Sequence, residues 1–313
     1  MTPSPDNGAW SRTVDVDGPT HYLDMGGPPG GPSVILVHGL GGSHLNWLAI
    51  GPSLSRHCRV LALDLVGHGL TPAGRRAPGI EGHRRLLSGF MEAVGTTPAL
   101  LVGNSMGGLV AALQATAEPD TVAGLVLIDP ALPTARLGLV HPRVVANFLL
   151  CALPGVGEGY LSQRRRHTSA AQSVRRVLAV CCVDPSRVRP DVVQAHVDLT
   201  ARVDRARADD AYLRSARSLS LLMANPATTM RRLDGLRQPT LLLHGERDLL
   251  VPLSAARRMS QAHPGWRFEV APDTGHVPML EAPGWTSGVI EDWLAAEGST
   301  AAARASVAGH ALS

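Results

Sequence analysis

The chain has no lysine: all 29 of its strongly basic residues are arginine. That absence excludes a Schiff-base amine, the phosphate-gripping lysine of a P-loop and a lysine general base. Aromatic residues are scarce, with three Phe, three Tyr and five Trp, which argues against an aromatic cage around a cationic substrate. The four cysteines, Cys58, Cys151, Cys181 and Cys182, form no C-x-x-C pair. They read as buried thiols in a reducing compartment rather than as a disulfide framework. Neither H-E-x-x-H nor a Cys/His cluster occurs, so no metal site is expected. The glycines from Gly26 to Gly31 are interrupted by Pro28 and Pro29 and precede a strand, which excludes a dinucleotide loop. The longest apolar stretch, Val144 to Val156, contains Asn147 and Pro154 and is too short to be a transmembrane segment. Met1 to Trp10 lacks the apolar core of a secretory signal, so the expectation is a cytoplasmic protein. A net charge of +3 is too small for a nucleic-acid binder.

What is present is ordinary globular material. Apolar residues make up 44% of 313 and charged ones 18%, and a chain of this length can bury about 75% of its unfolded surface. Short β-branched runs end at glycine or aspartate: Ser33 to Val37, Arg59 to Leu63, Ala99 to Val102 and Thr121 to Ile128. Continuous apolar runs of this kind predict strands buried on both faces. Helical spacing lies between them, from Ile80 to Val94 and from Met106 to Ala117, which predicts crossovers and a mostly parallel sheet. Thr13 to Asp17 and Thr20 to Asp24 predict an antiparallel hairpin at its edge. From Ala131 to about Leu236 no buried strand is legible. The strand signal returns at Pro239 to Leu243 and Trp266 to Val270, and Ala282 to Ala296 reads as the last helix. The expected organisation is a core of residues 1–130 and 237–298, a helical lid of residues 131–236, and a loose tail of residues 299–313.

The strongest chemical signal is Gly103-Asn104-Ser105-Met106-Gly107, between an apolar strand and a helical run. G-x-S-x-G in that setting is a nucleophile elbow, with glycine where side chains would collide across a sharp turn. Ser105 is the candidate nucleophile. A serine hydroxyl needs a base, and the base needs an orienting acid. His276, in Asp273-Thr-Gly-His276, is the candidate base, and Asp248, in His244-Gly-Glu-Arg-Asp248, the candidate acid. Asp129, which also ends a strand, is a rival acid, and Glu246 a lesser one. Acyl transfer also needs two N–H donors for the oxyanion. These are assigned to Met106 and to Leu40, in the loop after Val37. Gly39 and Gly41 permit close approach of substrate, and Asn104 and Val277 are expected to line its site. His38 reads as ordering that loop, and Asp64 to Gly69 as a structural turn. Arg164 to Arg166 read as a solvated helix face.

His38-Gly39, Asp64 to Gly69, Gly103 to Gly107, His244 to Asp248 and Gly275-His276 together resemble the α/β-hydrolase fold superfamily, in its lid-bearing serine esterase and lipase-like branch. The resemblance implies an eight-stranded mostly parallel sheet with helices on both faces, a Ser–His–Asp triad and no cofactor. The implied reaction is cleavage of a carboxylic ester, or of a lactone or thioester, through an acyl-enzyme on Ser105. If Val144 to Leu153 and Ser218 to Met223 roof the site, the substrate is a small apolar ester. Carbon–carbon hydrolases of the meta-cleavage type are an alternative, although they usually carry Trp after the catalytic His, where this chain has Val277. A non-catalytic ligand-binding member of the fold is the other alternative. Oligomeric state is not legible.

Overall fold

The fold is that of a computed structural model, which describes residues 10–133 and 142–310. The N-terminal residues 1–9, the start of the expected lid at residues 134–141 and the last three residues lie outside the described ones.

Eight strands form one sheet: β1 (Ser11–Asp15), β2 (Pro19–Asp24), β3 (Ser33–Val37), β4 (Arg59–Leu63), β5 (Ala99–Asn104), β6 (Val122–Ile128), β7 (Thr240–Gly245) and β8 (Arg267–Ala271). Their spatial order is β1-β2-β4-β3-β5-β6-β7-β8. The β1–β2 and β2–β4 pairs are antiparallel, and all others are parallel. This is the expected mostly parallel sheet with a hairpin at one edge. Its parallel strands alternate side chains between two cores, because successive residues of a strand face opposite ways. Ile35 and Val37 enter one core, and Val34 and Leu36 enter the other. Leu61 and Leu63 part from Val60 and Ala62 in the same manner.

Helices cover both faces. They are α1 (Gly51–Leu54), α2 (Ile80–Ala93), α3 (Met106–Ala117), α4 (Pro142–Ala152), α5 (Val156–His167), α6 (Ala170–Cys181), α7 (Pro190–Arg202), α8 (Arg205–Ala224), α9 (Pro226–Leu233), α10 (Leu253–Ala262), α11 (Pro278–Glu281) and α12 (Pro283–His310). On α2 the buried residues Ile80, His83, Leu86, Leu87, Phe90 and Met91 recur at helical spacing, giving one apolar stripe against the sheet. By contrast, α3 is buried from Met106 to Ala115, as befits the helix behind the central strand. Residues 299–310 continue α12. Their alanine-rich composition has high helix propensity.

Helices α4 to α9 are inserted between β6 and β7 and join both cores. Leu219 of α8 packs with α2 and α3, while Val174, Leu178 and Val192 of α6 and α7 pack in the other core. Of the stretches expected to roof the site, Leu149, Leu153 and Leu221 are exposed, Leu221 at 74%. Leu222 and Met223 pack against the core beside Leu219. An apolar helix that must cover a core spends its apolar residues there first.

Candidate active site

All the candidate chemistry lies in loops that leave the carboxyl ends of parallel strands, where an open α/β sheet exposes a crevice. After β5 the chain turns sharply into α3 at Ser105, whose φ is 53° and ψ −118°. For a non-glycine residue this is a strained conformation, costing about 1–3 kcal/mol unless its surroundings impose it. They do so here: the Ser105 N–H donates to the Ile128 carbonyl at 3.0 Å, and the Ala131 N–H donates to the Ser105 carbonyl at 2.9 Å. The two flanking glycines are required. A Cβ on Gly103 would stand 2.5 Å from the Gly107 carbonyl oxygen, and one on Gly107 2.1 Å from that of Val37.

The candidate acid and base meet after β7 and β8. His276 Nδ1 and Asp248 Oδ2 are 2.7 Å apart. With Nδ1–H donating to the carboxylate, Nε2 keeps its lone pair for a proton. Asp248 Oδ1 accepts from the N–H groups of Leu250 at 2.7 Å and Val251 at 3.2 Å. Burial pushes the Asp248 carboxyl up, but the charge and hydrogen bond of His276, the His244 ring and the Leu250 N–H together outweigh it, and the group lies below its ordinary value. Asp248, not Asp129 or Glu246, therefore holds the imidazole. Glu246 instead accepts from the Asp273 N–H at 2.9 Å. Among the described residues no hydrogen bond joins Ser105 Oγ to the His276 ring; such contacts often tighten only with substrate bound.

The loop after β3 packs directly against the elbow. A Cβ on Gly39 would be 3.1 Å from the Ser105 Cβ. His38 orders this loop, donating from Nδ1 to the Gly39 carbonyl at 2.8 Å and accepting the Leu65 N–H at Nε2 at 3.1 Å. Burial and then the neighbouring His68 push its pKa down to about 3, so it is a neutral scaffold. Leu40 sits half-buried beside the core. Met106 is the first residue of α3, where a backbone N–H has no partner within the helix.

Three residues expected near the substrate also make structural contacts. Asn104 is buried, and its Nδ2 donates to the carbonyls of Ile128 and His276, each at 3.1 Å. It ties the elbow to the His276 loop, since a buried amide takes whatever acceptors lie nearest. Val277 belongs to a core cluster. Gly41, at φ 71°, lies against the Tyr212 ring of α8. Asp64 is the structural turn expected: it accepts from His21 Nδ1 and His44 Nδ1 at 2.8 Å each, from the His44 N–H at 2.7 Å and from the Leu70 N–H at 2.8 Å. The expected face of Arg164 to Arg166 is partly engaged, because Arg165 pairs with Asp209 and Arg164 lies over the Tyr160 ring.

The sequence reading missed the residues that tie the inserted helices to the base. The His276 N–H donates to the Cys181 carbonyl, at the end of α6, at 2.7 Å. Glu281 accepts the Gly275 N–H at Oε2 and the Asp184 N–H at Oε1, both at 2.8 Å. Arg187 reaches Asp273 at 2.6 Å. Glu281 was visible only as an acid five residues beyond the base, and no local pattern says which backbone groups such an acid will meet.

A family model for the alpha/beta hydrolase fold matches residues 32–283. The chain belongs to the α/β-hydrolase fold family. It is 31% identical over 262 residues to a pimeloyl-[acyl-carrier protein] methyl ester esterase of Aromatoleum aromaticum, covering 83% of this chain and 97% of that one. It is 26% identical over 286 residues to monoacylglycerol lipase abhd6-A of Xenopus laevis, covering 89% and 80%. It is also similar to a 2-hydroxy-6-oxo-2,4-heptadienoate hydrolase of Pseudomonas putida, at 28% identity, covering 89% and 93%. Among the described residues no helix is long and apolar enough to cross a membrane.

Proposed function

We propose that this α/β-hydrolase is a serine esterase that cleaves a carboxylic ester with an apolar acyl or alcohol group. The observation that carries the reading is the 2.7 Å pairing of His276 with Asp248 at the sheet edge that carries the strained Ser105. Ester cleavage is the chemistry named for the esterase and lipase relatives. In this mechanism Nε2 of His276 takes the Ser105 proton as Oγ attacks the ester carbonyl. The oxyanion forms against the N–H groups of Met106 and Leu40. The imidazolium returns its proton to the leaving alcohol, giving an acyl-enzyme. Water, deprotonated by the same ring, then releases the acid and restores Ser105. Asp248 holds the tautomer and balances the transient cation. The inserted helices act as the lid, with Tyr212 against Gly41 closing one side.

The test is hydrolysis of p-nitrophenyl esters from acetate to laurate, with Ser105→Ala as control and fluorophosphonate labelling of Ser105 alongside. Turnover and labelling should both vanish in the variant, and the preferred chain length measures the acyl site. Labelling without ester turnover would favour the carbon–carbon hydrolase reading that the third relative supports. Absence of labelling would mean a ligand-binding member of the fold.

A further inference from the structure

A second aspartate stands behind the acid of the triad. Asp129 ends β6, next to β7, and is completely buried with a φ of 44°. Its N–H donates to the Leu243 carbonyl at 2.9 Å, and its Oδ1 accepts the Gly245 N–H at 2.8 Å. Its Oδ2 is buried without a hydrogen-bond partner. One ligand-type atom from each of Asp129, Asp248 and His276 lies within 4.8 Å of the other two. A buried oxygen with no donor, beside a second carboxyl group, is costly unless a proton lies between them. We propose that Asp129 and Asp248 form a proton-sharing carboxyl pair, in which Asp129 holds the proton on Oδ2, donates it to Asp248, and so positions the triad's acid while the pair keeps a single negative charge. The inference rests on the reading of Ser105, His276 and Asp248 as a catalytic triad.

The surroundings decide both the charge and where the proton sits. Besides His276, the titratable groups facing the pair are His244 on β7, Glu281 on α11 and Cys181 at the end of α6. His244 Nε2–H donates to the Val251 carbonyl at 2.9 Å. Its Nδ1 is left bare, 3.6 Å from Asp129 Oδ1, too far for a hydrogen bond. Burial pushes that imidazole down, so it supplies no counter-charge. Burial, then the charges of Asp248 and Asp129, push the Cys181 thiol up to about 12, so it stays protonated. Glu281 adds charge of the same sign. Two ionised aspartates would therefore face each other with only His276 to offset them. Burial, and next the charge of Asp248, push Asp129 well above its ordinary value. Asp248 already accepts from His276, Leu250 and Val251, which suits the ionised partner. Asp129 accepts one N–H and suits the protonated one.

A shared charge makes a distinctive prediction. Asp129→Asn keeps a neutral donor toward Asp248, and Asp248→Asn lifts from Asp129 the like charge that adds to burial in holding it neutral, so each single variant retains one carboxyl group near His276. The double variant retains none. The readout is the rate of Ser105 labelling by fluorophosphonate against pH, with thermal unfolding as a check on folding. Asp129→Asn should label within about threefold of the parent with an unmoved acid limb, while Asp129→Leu, lacking a donor, falls at least about tenfold. Asp248→Asn should fall about ten- to hundredfold and the double variant about 10⁴-fold. Asp248→Asn as inactive as the double variant would overturn the proposal. So would an acid limb that drops by about one pH unit in Asp129→Asn, since that means two charges were present. Infrared spectroscopy reads the proton without activity: at pH 7 the parent should show a protonated-carboxyl band that Asp129→Asn lacks. A parent spectrum without it overturns the pair, whereas a present band with unlabelled Ser105 overturns only the hydrolase reading.

Discussion

At the residue scale, the elbow depends on an atom that is not there. Gly107 lies where a Cβ would overlap the Val37 and His38 carbonyl oxygens. Backbone oxygens held in a central strand cannot yield as a flexible side chain could. Gly107→Ala should therefore cost at least about 2 kcal/mol in urea unfolding, and an unchanged midpoint would contradict the packing. A second residue-scale expectation concerns acid. His38, His68 and His83 form a buried row with ring centroids 5.4 and 5.5 Å apart. Burial lowers all three, His38 to about 3. Unfolded, they take up protons near pH 6.5; folded, they do so only at lower pH. The unfolded chain thus binds more protons below about pH 6.5, and stability is lost as the pH falls through that window, by up to about 1.4 kcal/mol per unit for each ring. Urea midpoints at pH 7, 6 and 5 check this, and a flat profile would refute it. Ser105 and His276 were legible because their spacing and flanking glycines are local. Asn104 was legible as a neighbour but not in its role, which depends on carbonyls 24 and 172 residues away.

At the element scale, short helices matter more than their length suggests. The four-residue α11 delivers Glu281, fully buried at its carboxylate, to two backbone donors on different parts of the molecule. Glu281→Gln turns one acceptor into an N–H that faces another N–H. It should cost about 1–3 kcal/mol and slow Ser105 labelling, because the Gly275–His276 backbone loses an anchor. Parent-like values in both assays would remove the tie from the mechanism. The strands β3 and β4 match their sequence expectations residue for residue, since a buried parallel strand is one continuous apolar run. The roles of the inserted helices were harder to read. Leu219 and Leu221 are two positions apart on the same helix, and only the neighbours of α8 decide that one is core and the other solvent-facing.

At the scale of the molecule, the inserted helices are fastened on two sides. Beside the base they are held by Cys181, Asp184 and Arg187. On the opposite face α8 is held to the start of α2. Ser215 Oγ donates to the Pro78 carbonyl at 2.8 Å and pairs with His83 Nε2 at 3.0 Å, and Ser218 Oγ accepts the Ile80 N–H at 3.0 Å. Substrate entry therefore should not require α8 to leave α2. A Cβ on Gly79 would be 3.3 Å from that of Ser218, close to disulfide spacing. Gly79→Cys combined with Ser218→Cys should cross-link on oxidation and keep turnover within about twofold. Turnover lost on oxidation and regained with reductant would mean that α8 swings during the cycle.

The sequence alone determined the sheet, the elbow and the candidates for nucleophile and base. Those features rest on short-range rules: apolar runs for buried strands, and glycine where a turn leaves no room for a Cβ. It left Asp129 and Asp248 as rivals, because both follow a strand and both are aspartate. Only the tertiary structure separated them. The adjacency of β6 and β7 buries both carboxyls together, and the loop after β8 brings the imidazole to one of them alone. Which carboxyl keeps a charge depends on the donors that distant segments supply, and no local pattern in the chain encodes that sum.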